Sequence, residues 1–236
     1  DPGYACYPNF IRFVGGEPRF LKTRPEQGFQ PQAEDVRGLI NGRTRALLIN
    51  SPANPAGSIL SGDELAKLSG LPLPLISDEI YHGLGYDTDT PSVLQVDPDA
   101  FVINSFSKYF GMTGWRLGWL VAPEAAVPDL EKLAQNLFIS MSTMAQYAAL
   151  AAFEPGTREI LDERRETFRQ RRDFLYPALL DLGFDIPCKP EGAFYLFPQI
   201  DGVKNSYEFA VDLLKAEKVA VAPGSAFGNG GEGSMR

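Results

Sequence analysis

The chain has 236 residues, of which 44% are hydrophobic, and it carries a formal net charge of −8. This size suffices for one large domain or two smaller ones. The acidic balance argues against nucleic acid or an anionic membrane surface as the main partner, and a single histidine with two cysteines offers no cluster for a metal ion.

The cysteines and the chain ends bear on where the protein works. Cys6 and Cys188 lie far apart in the sequence, which is typical of a reducing compartment, so we expect a cytoplasmic location. No apolar run reaches the roughly 18–20 residues of a membrane-spanning helix. Because the chain starts at Asp1 without Met and stops at "GEGSMR", we expect a fragment of a longer protein.

Short apolar runs alternate with helical patterns in the first half of the chain. These runs lie at residues 45–50, 73–77, 100–106 and 117–122. They are continuous rather than alternating, which predicts strands buried on both faces. Ser61 with Glu64 three residues later is a capping box, which predicts a helix between the first two strands. Strand–helix–strand order predicts an α/β fold with a mostly parallel sheet.

The second half of the chain has a different pattern. One helical pattern runs from Pro128 to about Phe153, and a second, highly charged one follows it. After Gly183, the sequence predicts a smaller α+β module with a helix near 206–217 and a strand at 219–222. We therefore predict a large domain in residues 1–135, an interdomain helix in 136–155 and a small C-terminal domain in 156–236.

Polar side chains follow three of the predicted strands. The segments are "SPANP" after the first strand, "SDEIY" after the second and "SFSK" after the third. In open parallel sheets, ligands bind in the crevice outside the carboxyl ends of the strands. If these strands are neighbours, five side chains meet at one crevice: Asn54, Asp78, Tyr81, Ser105 and Lys108.

Each of these residues has an ordinary structural interpretation when taken alone. An aspartate before a helix is often a cap, a serine after a strand is often a turn residue, and a lysine can extend to solvent. Together, however, they offer an amine, a carboxylate, a phenol, an amide and a hydroxyl. This combination suits pyridoxal 5′-phosphate, which presents an aldehyde, a pyridine nitrogen, a phenolate and a phosphate.

Longer segments resemble the class I and II aminotransferases, a fold-type I family similar to aspartate aminotransferase. They are "DPGYACY", "SPANPAG", "SDEIYHGL", "NSFSKYFGMTGWRLGW", "EGAFYLF" and "VAVAPGSAFG…GEGSMR". The resemblance covers essentially the whole chain. It implies an incomplete large domain with a mostly parallel sheet, followed by a truncated α+β C-terminal domain. The family's N-terminal part, with its phosphate-binding loop, and its extreme C-terminus have no counterpart in this sequence.

The resemblance implies roles around the ring of pyridoxal 5′-phosphate. Lys108 resembles the lysine that forms the Schiff base and moves the substrate's α-proton. Asp78 resembles the carboxylate that keeps the pyridine nitrogen protonated. Tyr81 and Asn54 resemble the donors to the phenolate oxygen, and Tyr4 resembles the aromatic residue stacked on the ring.

Further residues resemble the family's phosphate and substrate ligands. Ser105 and Arg116 resemble ligands of the cofactor phosphate, which suits the fork of a guanidinium. Arg236 resembles the receptor of the substrate's α-carboxylate, which Asn54 also reaches. His82 has no catalytic counterpart, and we interpret it as a turn residue. Asn54–Pro55 is a candidate cis peptide bond.

The function implied by the resemblance is transamination. An amino group would pass from an L-amino acid to a 2-oxo acid through a Schiff base on Lys108 and a pyridoxamine intermediate. The family resemblance also implies a homodimer with shared active sites. Three alternatives stay open at this stage: a carbon–sulfur β-lyase on the same scaffold, the ligand-sensing domain of a transcription regulator, and a catalytically silent fragment.

Overall fold

The computed structural model describes all residues from Asp1 to Arg236. Its α-helices are α1 (Tyr7–Phe13), α2 (Ala33–Arg37), α3 (Gly62–Ser69), α4 (Val127–Leu137), α5 (Thr143–Ala151), α6 (Pro155–Asp181) and α7 (Ser206–Glu217). Its strands are β1 (Leu47–Asn50), β2 (Leu75–Asp78), β3 (Phe101–Ser105) and β4 (Gly118–Val121). None of the helices has the length and apolar character needed to cross a membrane.

Contacts within the chain divide it into two compact units. Unit 1 consists of Asp1–Asn41, Ala53–Ile59 and Gln170–Arg236. Unit 2 consists of Gly42–Pro52 and Leu60–Arg169. The predicted domain bounds at residues 135 and 155 describe the family's domains, and they stay a prediction.

Unit 2 contains the sheet, whose strand order is β1-β2-β3-β4. The first three strands are parallel, and β4 pairs with β3 in the antiparallel sense. The mostly parallel α/β sheet is therefore as predicted. The prediction that every strand is buried on both faces is wrong for β4, whose four residues are all exposed. Side chains on both faces of β4, Trp119 and Leu120 among them, remain exposed because little packs over them.

The capping box at the start of α3 is confirmed. The Ser61 side chain accepts a hydrogen bond from the backbone amide of Glu64 at 3.3 Å. The Glu64 carboxylate in turn accepts from the backbone amide of Ser61 at 2.9 Å. The cap fixes the helix start so that Leu65 and Leu68 are buried. It thereby sets the crossover between the parallel strands β1 and β2.

The single long helix predicted from Pro128 to Phe153 is wrong. Two helices, α4 and α5, occupy this stretch and are separated by residues 138–142. Ile139 takes a left-handed backbone conformation with φ of 68°, and its amide donates to the carbonyl of Ala134 at 2.9 Å. This is the pattern of a helix C-terminus, here formed without the glycine that usually marks it.

The C-terminal third is less regular than predicted. The helix predicted near 206–217 is confirmed as α7. Residues 219–222 do not form the predicted strand, because pairing is limited to mutual backbone bonds between Ala222 and Arg236 and a bridge between Pro223 and Met235. Pairing continues instead beyond residue 222, since the amide of Gly224 donates to the carbonyl of Ser234 at 2.8 Å.

The core of unit 1 includes a cluster of aromatic side chains. Phe197 packs edge-on against Phe29 and Phe227, with ring centroids 5.8 Å apart in both pairs. Ala56 completes this buried cluster. The segment after β1 is thereby fixed in unit 1, and it includes Asn54.

Candidate active site

The carboxyl ends of the parallel strands bring polar residues to one edge of the sheet. Asn50 at the end of β1 is in register with Asp78 at the end of β2, and Asp78 is in register with Ile103 of β3. The Asn50 side-chain amide donates to the backbone carbonyl of Asp78 at 2.8 Å. The Asp78 carboxylate accepts from the backbone amide of Ile80 at 3.1 Å. Its orientation is therefore fixed by the turn that follows β2.

Lys108 and Tyr81 lie close together beyond this edge. The Nζ atom of Lys108 is 5.8 Å from the centre of the Tyr81 ring. Tyr81 is only 3% exposed, so its position is set by packing. Each residue opens a tight turn: the amide of Leu84 donates to the Tyr81 carbonyl at 2.9 Å, and that of Gly111 donates to the Lys108 carbonyl at 3.0 Å.

Two serine hydroxyls meet next to Lys108. The Oγ atoms of Ser105 and Ser107 are 2.8 Å apart. Ser105 Oγ also accepts from the backbone amide of Ser107 at 3.0 Å, and it lies 3.0 Å from the carbonyl of Leu117. The carbonyl of Ser107 accepts from the Thr113 hydroxyl at 2.6 Å. These bonds hold the segment after β3 in a defined loop.

Arg116 shares an open cavity with both serines. The cavity has a volume of about 660 Å³ and a mostly apolar lining, and its polar residues are Asn104, Ser105, Ser107, Arg116 and Glu131. Arg116 has a left-handed backbone with φ of 54°, and its guanidinium donates to the Thr113 carbonyl at 2.9 Å. Such a conformation costs a residue other than glycine roughly 1–2 kcal/mol, and strained residues cluster at functional sites.

A buried acid–imidazole pair lies between Asp78 and the turn after Tyr81. The Glu79 carboxylate accepts from the backbone amide of Val93 at 2.8 Å, and it lies 3.4 Å from Nδ1 of His82. Burial lowers the pKa of His82, while the Glu79 charge and the Ser51 backbone oppose that shift. The neutral imidazole is therefore favoured. Its contacts are structural, in keeping with the interpretation of His82 as a turn residue.

Asn54 and Arg236 meet in unit 1. The Arg236 guanidinium donates to Oδ1 of Asn54 at 2.9 Å. Its central carbon lies 4.2 Å from the ring centre of Tyr195 and 4.9 Å from that of Phe227. A planar cation held between two aromatic rings is oriented as well as stabilised. The Asn54–Pro55 bond is cis, as hypothesised from the sequence.

Tyr4 also lies in unit 1, ahead of α1. It is 38% exposed, and its ring packs edge-on against Tyr7 with centroids 5.2 Å apart. Among the eight sequence-predicted residues, unit 2 holds five and unit 1 holds Tyr4, Asn54 and Arg236. Within unit 2, Lys108 lies near Tyr81, and Ser105 shares a cavity with Arg116.

Sequence reasoning missed three residues at these sites. One of them is Ser107, which directly precedes Lys108. The signal for it was the second serine in "SFSK", two residues after Ser105. Tyr195 and Phe227 hold the Arg236 guanidinium. Neither contact belongs to a local sequence motif, so residue spacing offered no signal for them.

Comparisons with known proteins show what the chain as a whole is similar to. Residues 1–236 match the family described as "Aminotransferase class I and II". A (5-formylfuran-3-yl)methyl phosphate transaminase from Methanocaldococcus jannaschii is 38% identical over 100% of this chain and 62% of its own length. An aspartate aminotransferase from Bacillus subtilis is 36% identical over 97% of this chain and 62% of its own length.

Solved structures share the fold as well. The crystal structure of an aminotransferase from Mycobacterium tuberculosis matches with a TM-score of 0.95 at 35% identity, covering 100% of this chain and 62% of that one. The chain thus spans about 62% of the length of the relatives it matches. Within that span, its fold is that of the fold-type I aminotransferases. With the family match over every residue, the chain belongs to the class I and II aminotransferases.

Proposed function

We propose that the whole protein transfers an amino group from an L-amino acid to a 2-oxo acid with pyridoxal 5′-phosphate as cofactor. We further propose that it works as a cytoplasmic homodimer whose subunits share active sites, as the family resemblance implies. The observation that supports this proposal best is the group of Lys108, Tyr81 and Asp78 beyond the carboxyl ends of parallel strands. That edge is where ligands of open α/β sheets bind.

The chemistry of the residues in unit 2 fits the cofactor. Lys108 offers an amine, Asp78 a carboxylate for a pyridinium, and Tyr81 a phenol within 5.8 Å of the lysine nitrogen. Ser105 and Arg116 line one cavity and suit a phosphate, since hydroxyl and guanidinium groups donate to phosphate oxygens. Pyridoxal 5′-phosphate held by these residues would supply an aldehyde that can react with the Lys108 amine and accept the amino group of the substrate.

The protein's own groups then have separate tasks. We propose that the Lys108 amine, once freed, takes the α-proton of the substrate and delivers it to C4′ of the cofactor. The Asp78 carboxylate keeps a proton on the pyridine nitrogen, so that negative charge formed on the substrate is stabilised. Tyr81 donates its hydroxyl proton toward the phenolate oxygen.

Three residues of unit 1 have proposed roles as well. We propose that Asn54 donates to the phenolate oxygen and that Tyr4 stacks on the cofactor ring. Arg236 binds the substrate's α-carboxylate, since its fork matches two carboxylate oxygens. The contact between Arg236 and Asn54, at 2.9 Å, supports this role because it aims the guanidinium. The family assignment for each of these residues comes from the sequence resemblance.

Relatives named as aminotransferases favour transamination over the lyase and regulator alternatives. Those relatives act on different substrates by name, an aspartate and a furan phosphate among them. The residues discussed above deal with the cofactor and the α-carboxylate, which all amino acids share. The proposal is therefore for the class of L-amino acids and 2-oxo acids.

The test uses the whole protein with pyridoxal 5′-phosphate and a panel of amino donors. We expect a subset of L-amino acids to yield 2-oxo acids in amounts equal to the pyridoxamine phosphate formed in a single turnover. Lys108→Ala abolishes this conversion, while the exposed Lys67→Ala leaves it unchanged. Release of ammonia and pyruvate from cystathionine-type donors, without amino transfer, would favour the lyase instead.

A further inference from the structure

Tyr109 follows Lys108 directly, and its side chain packs on the turn that carries Tyr81. Gly83, two residues after Tyr81, has φ of 88°, a left-handed backbone that favours glycine. A Cβ atom at Gly83 would lie 2.6 Å from Cγ and 2.7 Å from Cδ2 of Tyr109. The ring of Tyr109 therefore lies directly against the Gly83 backbone. Any residue other than glycine at position 83 would leave no room for this ring.

The far end of the Tyr109 side chain is held by α6. Its hydroxyl donates to Oδ1 of Asp162 at 2.9 Å. Asp162 also forms an ion pair with Arg165 at 3.5 Å. Burial, followed by the bond to Asp162, raises the pKa of Tyr109, so the phenol keeps the proton it donates.

A second contact ties the same loop to α6. Gly111 has φ of 67°, and a Cβ atom there would lie 2.7 Å from Nη1 of Arg164. The amide of Gly111 also closes the turn that begins at Lys108. Residues 108–111 are thus held between α6 on one side and the Tyr81 turn on the other.

Tyr109 has no task in the amino-transfer chemistry outlined above, since its hydroxyl is bonded to Asp162. We propose that Tyr109 is a positioning residue, whose ring separates Gly83 from Asp162 and thereby sets the distance between the Lys108 amine and the Tyr81 ring. This inference rests on the proposed function. Proton transfer demands close placement, and a displacement of about 1 Å can lower the rate roughly 100-fold.

The test compares Tyr109→Ala with Tyr109→Phe in the whole protein loaded with pyridoxal 5′-phosphate. We expect Tyr109→Ala to lower kcat by about 10- to 100-fold. The KM for the amino donor should change less than about threefold, because the substrate's carboxylate is bound elsewhere. Tyr109→Phe keeps the ring on Gly83, so it should recover most of the lost kcat.

A spectroscopic measurement separates positioning from general stability. The visible absorbance of cofactor joined to Lys108 depends on pH. The midpoint of this pH titration reports the surroundings of the Lys108 nitrogen. Tyr109→Ala should shift this midpoint by about half a pH unit or more, whereas Tyr109→Phe should not. Tyr207→Ala, a tyrosine exposed on α7, is the matched control and should shift neither midpoint nor kcat.

Gly83→Ala provides an independent test should Tyr109→Ala fold poorly. Its added methyl group pushes the Tyr109 ring away and should cause the same loss of kcat and the same midpoint shift. The double variant Gly83→Ala/Tyr109→Leu should lose less kcat than the two single losses combined. The reason is that leucine relieves the collision between the added methyl group and the Tyr109 ring.

Two outcomes would overturn the inference, and they are distinguishable. Wild-type kcat and midpoint in both Tyr109→Ala and Gly83→Ala would reject the role of Tyr109 while leaving the proposed function intact. A wild-type protein whose cofactor never joins Lys108 would reject the proposed function, and this inference with it.

Discussion

Lys108 and Arg116 are the only charged residues between Ala100 and Pro123. The sequence identified both, because a lone lysine and arginine in an acidic protein stand out beside a predicted strand. The structure adds the neighbours of each: Tyr81 beside Lys108, and Ser105 in the cavity of Arg116. Such contacts depend on how distant turns pack, which residue spacing along the chain does not encode.

Asp78 is a residue whose charge, rather than size, matters in the proposed mechanism. Asp78→Asn keeps the shape and removes the carboxylate that would hold a proton on the pyridine nitrogen. We expect kcat to fall by about 100-fold or more. Steady-state assays of the whole protein measure this, with the exposed Asp63→Asn as control. An Asp78→Asn enzyme with wild-type kcat would exclude the proposed role.

His82 gives the protein a stability that depends on pH. Its pKa is lowered from the ordinary value of 6.5, chiefly by burial, so the unfolded chain binds the proton more readily. The stabilisation by neutral His82 is therefore present above pH 6.5 and is lost as the pH falls through 6.5 toward the folded-state pKa.

We expect His82→Asn to flatten that part of the pH dependence. Urea unfolding of the wild type and the variant, from about pH 7.5 to about pH 5, measures the difference. The wild type should lose more free energy of unfolding than the variant as the pH falls. Equal slopes in the two proteins would contradict the assignment.

At the scale of elements, the four strands and α3 were predictable because their signals are local. Continuous apolar runs mark the strands, and Ser61 with Glu64 marks the helix start. The break between α4 and α5 was missed because its residue in the left-handed conformation is Ile139 rather than glycine. The strand at 219–222 was predicted but is absent, because apolar and β-branched residues predict a strand whether or not a partner segment pairs with it.

The α3 cap offers a quantitative test at this scale. Ser61→Ala removes the acceptor of the Glu64 amide, so we expect a loss of about 1 kcal/mol in the free energy of unfolding. Ser61→Thr keeps a hydroxyl that accepts from the Glu64 amide and donates to the Glu64 carboxylate, so it should retain most of the stability. Chemical denaturation measures both variants. A Ser61→Ala protein as stable as the wild type would mean that the cap contributes nothing in this context.

At the scale of the molecule, the sequence predicted the fold class, and the comparisons confirm it. The chain spans about 62% of its relatives' length, so the activity and assembly of the whole protein stay proposals. The exposed faces of β4 and α5 belong to this scale, because large apolar side chains such as Trp119 and Tyr147 lie on them. Exposed apolar faces of this kind are typical of surfaces that other protein segments cover.

The proposed homodimer is tested by the mass of the whole protein in solution. Sedimentation equilibrium across a range of concentrations should give twice the mass of one chain at micromolar concentration and above. Tyr147→Asp places an aspartate on the exposed apolar face of α5. Its mass in solution can then be compared with that of Tyr207→Asp on α7. A wild-type mass of one chain at every concentration would contradict the dimer.

The proposed function depends above all on a covalent bond between Lys108 and pyridoxal 5′-phosphate. The most direct measurement is to load the whole protein with the cofactor, reduce it with borohydride and locate the modified residue by peptide mass spectrometry. We expect a single modified peptide that contains Lys108 and that disappears when an amino donor is added before reduction. Modification spread over other lysines, or an unmodified Lys108 in protein that holds the cofactor, would contradict it.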